Sequence, residues 1–439
     1  MIRRTLITIL LAAAGAAPAF AQVPLTLDDA IRRARTQNPN ARGAIAAERE
    51  AAHRAAAARA AWLPRVDFVE SWQRGDQPVF VFSSLLSQRL FTERNFAIDA
   101  LNHPSPIDNF TSRLAVEQPL FDAGIPAQFA AANTGRELAA AERSFVEQQL
   151  AAEVSAAYSR VLVALANLQS AEAALQRAEA DRRLAGDRRD AGLATEADVL
   201  LLDVHLSRSR ERQIRARSDE QIARAQLNRL MGEPLDAVFT LDPAAAIPPI
   251  PTTDLAALER EAIESRPDLT IAALGEELAE TAVRTARAAF LPQVSAQGGW
   301  EFNGGAWDTR ASSWIVGVSA RINLFRGFAD RARLAEAREA VERRRTERED
   351  AIAAARLDVR VAAAQLDAAR ATEAVARAAV AQAAESRRII RDRYEAGLAD
   401  VATLLRASEG VVDADAQLVA AQAAVLTSTA ALQRALGRQ

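Results

Sequence analysis

The sequence predicts a mainly α-helical protein with a small β part, organised as an internal two-fold repeat of long antiparallel helical hairpins plus four β-strands. Three observations carry this. Gly192-Leu193 and Gly397-Leu398 each separate two long Ala-rich segments and lie 205 positions apart. A glycine between helices can take the left-handed conformation that ends one. Leu63-Pro64 and Leu291-Pro292, 228 positions apart, mark where helical periodicity stops, and a two-residue alternation of apolar and polar residues follows.

Taken in order, the chain opens with Met1-Ile2-Arg3-Arg4, an apolar run from Leu6 to Ala14, and Ala19-Phe20-Ala21. A basic start, a short apolar core and an A-x-A site read as a secretory signal peptide over residues 1–21. The first structural repeat is expected over 22–231 and the second over 255–439, joined by a Pro-rich crossover at 232–254 that holds Pro234, Pro243, Pro248, Pro249 and Pro251. Each repeat starts with a short helix (Leu27 to Gln37; Leu255 to Ser265) that stops before Asn38-Pro39 or Arg266-Pro267, because the residue before a proline is pushed out of the helical region. The proline then opens a second helix.

The strands come next, as hairpins at about 65–121 and 293–325. The clearest period is at Ser312–Phe325, where Trp314, Val316, Val318, Ala320, Ile322 and Leu324 alternate with Ile315, Gly317, Ser319, Arg321 and Asn323. All five Trp lie in or beside these hairpins, and Trp72, Trp300, Trp307 and Trp314 are candidate membrane-interface aromatics. Strands of about ten residues with one apolar face suit a tilted membrane strand. Four strands cannot close a barrel, and open edges are not tolerated in lipid, so if these strands span a membrane, and are not a small soluble sheet with an aromatic core, several chains must contribute to one barrel. The first hairpin carries roughly 24 extra residues, an insertion of the kind a surface loop accepts. This loop, 75–109, is expected on the outer face with a short helix at most.

A helix of roughly 65 residues then runs to each Gly turn, on the order of 100 Å at 1.5 Å per residue, and a shorter helix returns. In the last one Leu404, Val411, Leu418, Val425 and Leu432 recur every seven residues, with Ala407, Ala414, Ala421, Ser428 and Ala435 three positions behind. A strict heptad implies left-handed supercoiling. The first-half register is poorer, with Gln213 and Glu220 in it.

Composition excludes much else. The formal charge of −3 becomes −5 once Arg3 and Arg4 leave with the signal, a balance that does not suggest a nucleic-acid partner. With no Cys there is no disulfide, thiolate metal site or lipidated N-terminal Cys. His53, His103 and His205 have no metal-ligand spacing, and no catalytic or phosphate-binding motif occurs. Neither an enzyme nor a cofactor is expected.

With Leu120-Phe121-Asp122-Ala123-Gly124 at a strand end and Arg393-Tyr394-Glu395-Ala396-Gly397-Leu398 at a tip, the arrangement resembles the TolC-like outer-membrane efflux family over essentially the whole mature chain. That resemblance implies a homotrimer in the outer membrane of a Gram-negative bacterium, with a transmembrane barrel of twelve strands and the helices projecting into the periplasm. It implies an exit duct of a tripartite efflux or type I secretion system, fed by a periplasmic adaptor and an inner-membrane pump of RND or ABC type. Gly192, Leu193, Tyr394, Gly397 and Leu398 would then be adaptor-docking residues. The family narrows its pore with acidic residues six and nine positions after the second tip glycine, where this chain has Thr403 and Arg406. Asp198, at the six position of the first tip, and Asp400 are the remaining acidic candidates for a constriction, and an acidic residue at a helix start also complements the dipole. A periplasmic adaptor and an envelope coiled-coil scaffold are the alternatives. An adaptor needs one hairpin and no Trp-flanked strands, and a scaffold needs no strands at all.

Overall fold

The computed structural model describes residues 24–241, 251 and 254–438. The expected signal segment and most of the crossover prolines lie outside the described residues. The chain divides into two compact units.

The repeat is visible in element lengths. α1 (Leu27–Gln37) and α7 (Leu255–Ser265) have 11 residues each, α2 (Pro39–Ala60) and α8 (Pro267–Ala288) have 22, and α5 (Gly124–Asp190) and α9 (Ala329–Glu395) have 67. The returning helices α6 (Glu196–Met231) and α10 (Val401–Ala435) have 36 and 35. The residues before the two prolines are extended, with ψ of 131° at Asn38 and 123° at Arg266, and so break the chain between the paired helices. Among the described residues no helix is long and apolar enough to cross a membrane.

One unit consists of the described parts of Met1–Asn38, Leu150–Ile250 and Leu366–Ala430. Here α1 packs on the end of α6. The Asn38 amide donates to the Leu230 carbonyl (2.9 Å), and the Tyr158 hydroxyl donates to the Leu25 carbonyl (3.0 Å). Gly232 ends α6 at φ 76°, and a Cβ there would lie 2.8 Å from the Gln37 carbonyl carbon. The heptad stripe of α10 is turned inward: Leu404, Val411, Ala414 and Ala421 are buried.

The other unit holds the described parts of Pro39–Gln149, Pro251–Gln365 and Ala431–Gln439. Gly437 repeats the close contact, with φ 76° and a Cβ position 2.8 Å from the Ser265 carbonyl carbon. This unit holds a four-stranded antiparallel sheet in the order β1 (Arg65–Gly75), β2 (Ile107–Phe121), β3 (Gln293–Gly304), β4 (Ala311–Arg321). The two expected hairpins are thus one sheet, because β2 also pairs with β3, with Leu114 opposite Trp300 and Val116 opposite Gly298. The expectation that the last strand runs on to Phe325 is corrected. Pairing stops at Arg321, and Asn323 turns to donate to Asp330 on α9. Gly327 and Phe328 then take left-handed φ values of 61° and 66°, which no strand accommodates.

Register assigns the side chains to two faces, since direct partners point the same way. One face carries Val66, Phe68 and Trp72 of β1, Phe110, Leu114 and Val116 of β2, Trp300 and Phe302 of β3, and Trp314, Val316 and Val318 of β4. The other carries Asp67, Ser71 and Gln73, then Asn109, Thr111, Arg113 and Glu117, then Gln297, Glu301 and Asn303, and Ser319 and Arg321. On this polar face Asn109 donates to Asn303 (3.2 Å), and Arg113 pairs with Glu301 (3.3 Å). β1 and β4 are the edge strands, and the outer edge of each is unpaired among the described residues.

The loop after β1 is more helical than expected. It forms α3 (Pro78–Ser87), a 3-10 turn at Glu93–Phe96 and α4 (Ile98–Asn102). Pro78 sits in the first turn of α3, where its missing N–H is not needed.

Candidate functional site

Both tips are built by the same backbone device. At the end of α5 the Leu193 N–H donates to the Arg188 carbonyl (2.7 Å) and the Gly192 N–H to the Arg189 carbonyl (2.9 Å). At the end of α9 the Leu398 N–H donates to the Arg393 carbonyl (2.7 Å) and the Gly397 N–H to the Tyr394 carbonyl (3.0 Å). These are Schellman ends, with the glycine left-handed at φ 74° and 76°. They leave Leu193 and Leu398 outside, 66% and 69% exposed, so two repeat-related leucines and two glycines form the surface of the turns.

Tyr394 corrects the expectation that placed it on the docking surface. It is 4% exposed and belongs to a core with Ala185, Val199, Leu202, Val401 and Leu404. Its repeat partner is Arg189, which stays outside and pairs with Asp190 and Glu196, so the filling of this core is one-sided. Burial raises the Tyr394 pKa. Over its ring, 4.9 Å from the centroid, lies the guanidinium of Arg188, which also donates to the Glu395 carbonyl (2.7 Å). Arg188 therefore ties the end of one long helix to the end of the other, a role missed from the sequence. A cation one turn before a helix-ending glycine was the available signal, since its chain can reach terminal carbonyls.

The constriction candidates are all at the starts of the returning helices. Thr195 caps α6: it accepts from the Asp198 N–H (3.2 Å), while Asp198 accepts from the Thr195 N–H and hydroxyl (2.9 Å each). In α10 the order is exchanged, and Asp400 accepts from the Thr403 N–H (2.8 Å). Hydrogen bonding from Thr403 holds the Asp400 carboxyl below its ordinary range. Arg406 lies one turn on, exposed, and donates to the Thr403 hydroxyl (3.3 Å). Asp198 and Thr403 are thus members of capping pairs within a single chain.

Deeper in the same unit are two charged clusters. Arg387 donates to Asp181 (2.8 Å) and to the Ser408 hydroxyl (3.2 Å). Glu409 receives both Nη atoms of Arg212 (3.1 and 2.9 Å) and lies 3.1 Å from His205 Nδ1. Burial holds the His205 pKa below its ordinary 6.5, and Arg212 lowers that of Glu409. Both signs agree. In the window below 6.5 the unfolded imidazole takes up a proton that the folded one resists, so stability falls as pH falls, and Glu409 extends the loss once pH drops through its lowered pKa. The opening free energy from hydrogen exchange around His205, corrected for the intrinsic slowing of exchange at lower pH, is expected to fall between pH 7.5 and 5.5, and His205→Gln to flatten the upper part of that change. A pH-independent opening free energy in the parent protein would refute it. Among the described residues no group of three or more His, Asp or Glu could hold a metal.

The candidate interface aromatics are in the sheet unit. Trp72, Trp300 and Trp314 share the apolar face, with Trp300 directly opposite Trp314. Trp307 is in the β3–β4 turn, exposed, with the Arg310 guanidinium 3.8 Å from its ring centroid.

Comparison with known proteins agrees with this architecture. The model of the family described as "Outer membrane efflux protein" matches residues 30–233 and 258–438. The chain is 33% identical over 326 residues to Protein CyaE of Bordetella pertussis, covering 72% of this chain and 68% of that one. It is 26% identical over 427 residues to the pyoverdine export outer membrane protein OpmQ of Pseudomonas putida, covering 94% and 85%. Among solved structures, the outer membrane protein VceC of Vibrio cholerae superposes with a TM-score of 0.76 at 21% identity, over 94% of this chain and 96% of that one. The chain belongs to the outer membrane efflux protein family, as an outer-membrane exit duct rather than an enzyme.

Proposed function

We propose that three copies of the chain close one twelve-stranded barrel in the outer membrane, that their helices form a periplasmic tunnel, and that the tips dock a periplasmic adaptor fed by an inner-membrane pump. The observation that carries this is the sheet: one mainly aromatic and aliphatic face, interrupted by Glu70 and Arg74, one mainly polar face, and two unpaired edges. In hydrocarbon those edges must be paired, and about eight strands is the smallest barrel that leaves a filled interior, so closure needs further copies. The apolar face then meets lipid, with Trp72, Trp300 and Trp314 among its interface aromatics, and the polar face lines a wet passage. Transport through it is passive, and the pump does the selecting. A lone envelope scaffold has no use for a two-faced sheet.

Gly192, Leu193, Gly397 and Leu398 are the docking surface in this reading, since exposed apolar side chains on a rigid turn suit a partner. Asp198, Asp400 and Arg406 set the charge at that end of the passage, and rings of carboxylates there favour cations. Gly397→Leu places a branched side chain at φ 76° and disturbs the turn. The expected result is normal membrane insertion with docking weakened by about 2 kcal/mol, roughly thirtyfold in affinity, and export reduced accordingly. Normal export by a correctly inserted Gly397→Leu protein would remove the tips from docking. Recovery of the parent protein as a soluble monomer, in place of a detergent-extracted trimer, would sink the barrel itself.

A further inference from the structure

The insert between β1 and β2 is anchored to the polar face of the sheet. Gln88, at the end of α3, is buried and donates to the Asp108 carbonyl and to Asn109 Oδ1 (2.9 Å each). Asn109 continues to Thr111 (3.0 Å) and Asn303, so the network ties the insert to β2 and β3 on that face. A Cβ on Gly75, which points the same way, would lie 3.6 Å from the Phe80 ring. Arg89 adds a bond to the Ser312 carbonyl of β4 (2.8 Å).

The side of α3 turned to the sheet is Val81, Ser84 and Gln88, all buried. The far side is Val79, Phe82 and Leu86, all exposed, with Leu90 and Phe96 beside them. Edge-to-face contacts of Phe91 with Phe82 (4.9 Å) and Phe96 (5.1 Å) hold the apolar surface together. A helix whose exposed side is this apolar is built to be covered on that side as well. One side has the sheet.

We propose that the insert is an apolar plug: the Val79–Phe82–Leu86 faces of neighbouring copies meet on the barrel axis and narrow the outlet. This rests on the barrel reading, because it is closure that turns the polar face, and the insert with it, inward. The occupant of the exposed face is then a second copy of this chain. Continuity argues for it, since the same copies must pair with the free edges of β1 and β4, and Arg89 fixes the insert to β4. An apolar ring in a water-filled passage gates by dewetting, which would hold the outlet shut to ions and small polar solutes at rest.

The chain has no Cys, so a single thiol can be placed at will. Leu86→Cys in outer membranes is expected to give covalent dimers with a short bis-maleimide, while Trp314→Cys, on the opposite face, gives none. The double variant Val79→Asn, Leu86→Asn is expected to raise single-channel conductance in planar bilayers by about twofold or more as the ring wets. An assembled, conducting trimer with no Leu86→Cys cross-link, or with conductance unchanged by the double variant, would overturn the plug and leave the barrel standing. A parent protein that neither assembles nor conducts would overturn the barrel and the plug together.

Discussion

Gly437→Ala and Gly232→Ala are each expected to destabilise their end of a returning helix by about 2–5 kcal/mol, while Gly192→Ala costs only about 1–2 kcal/mol. All three glycines are left-handed, at φ 74° to 76°, so each alanine meets the same Cβ strain. What differs is the surroundings. At Gly192 nothing lies within 4 Å of the added Cβ, whereas at Gly437 it would meet the Ser265 carbonyl at 2.8 and 2.9 Å, and at Gly232 the Gln37 carbonyl at 2.8 and 2.9 Å. Those neighbours are backbone at the ends of α7 and α1 and cannot rotate away, so helices must part. Hydrogen exchange on the amides of α1 and α7 measures this directly. Equal and small losses at all three positions would show that the close contacts do not constrain the packing.

The second large effect is expected at Asp181. Its side chain and that of Arg387 are 2% and 11% exposed, which is unusual for charges on a long helical hairpin. Asp181→Ala leaves Arg387 charged and without its carboxylate, at a cost of about 3–5 kcal/mol. Asp181→Leu with Arg387→Met removes both charges and is expected to recover most of that loss. The pair is far from ideally satisfied, since Asp181 Oδ1 has no hydrogen-bond partner. Opening free energies from exchange around Ala185 and Val199 give the comparison. A double variant as unstable as the single one would mean that the lost stability came from packing.

Much of this was legible beforehand, and the limits have physical reasons. Helix boundaries at Asn38-Pro39 and Arg266-Pro267 could be read because proline acts locally on the preceding residue. The tip turns could be read because only glycine rests easily at φ near 75°. Union of the two hairpins through β2 and β3 could not, since pairing between strands more than 170 positions apart leaves no local mark. Alternation through Ile322 and Leu324 promised a longer β4, but pattern reports compatibility with a strand, and a tertiary bond from Asn323 to Asp330 decided otherwise. Tyr394 looked like a surface residue of the tip because its burial depends on Leu202 and Arg188 of the other hairpin. The roles of Asp198 and Asp400 were available locally, in Thr-x-x-Asp and Asp-x-x-Thr ahead of apolar runs.

Those two caps have a consequence for how such a protein can change. The first half writes the pair as Thr195 then Asp198, the second as Asp400 then Thr403, and both satisfy the start of a helix. Exchanging the two letters moves a negative charge by three residues, nearly one helical turn, without opening the helix. Charge placement at these starts is therefore free to vary while the scaffold is held constant.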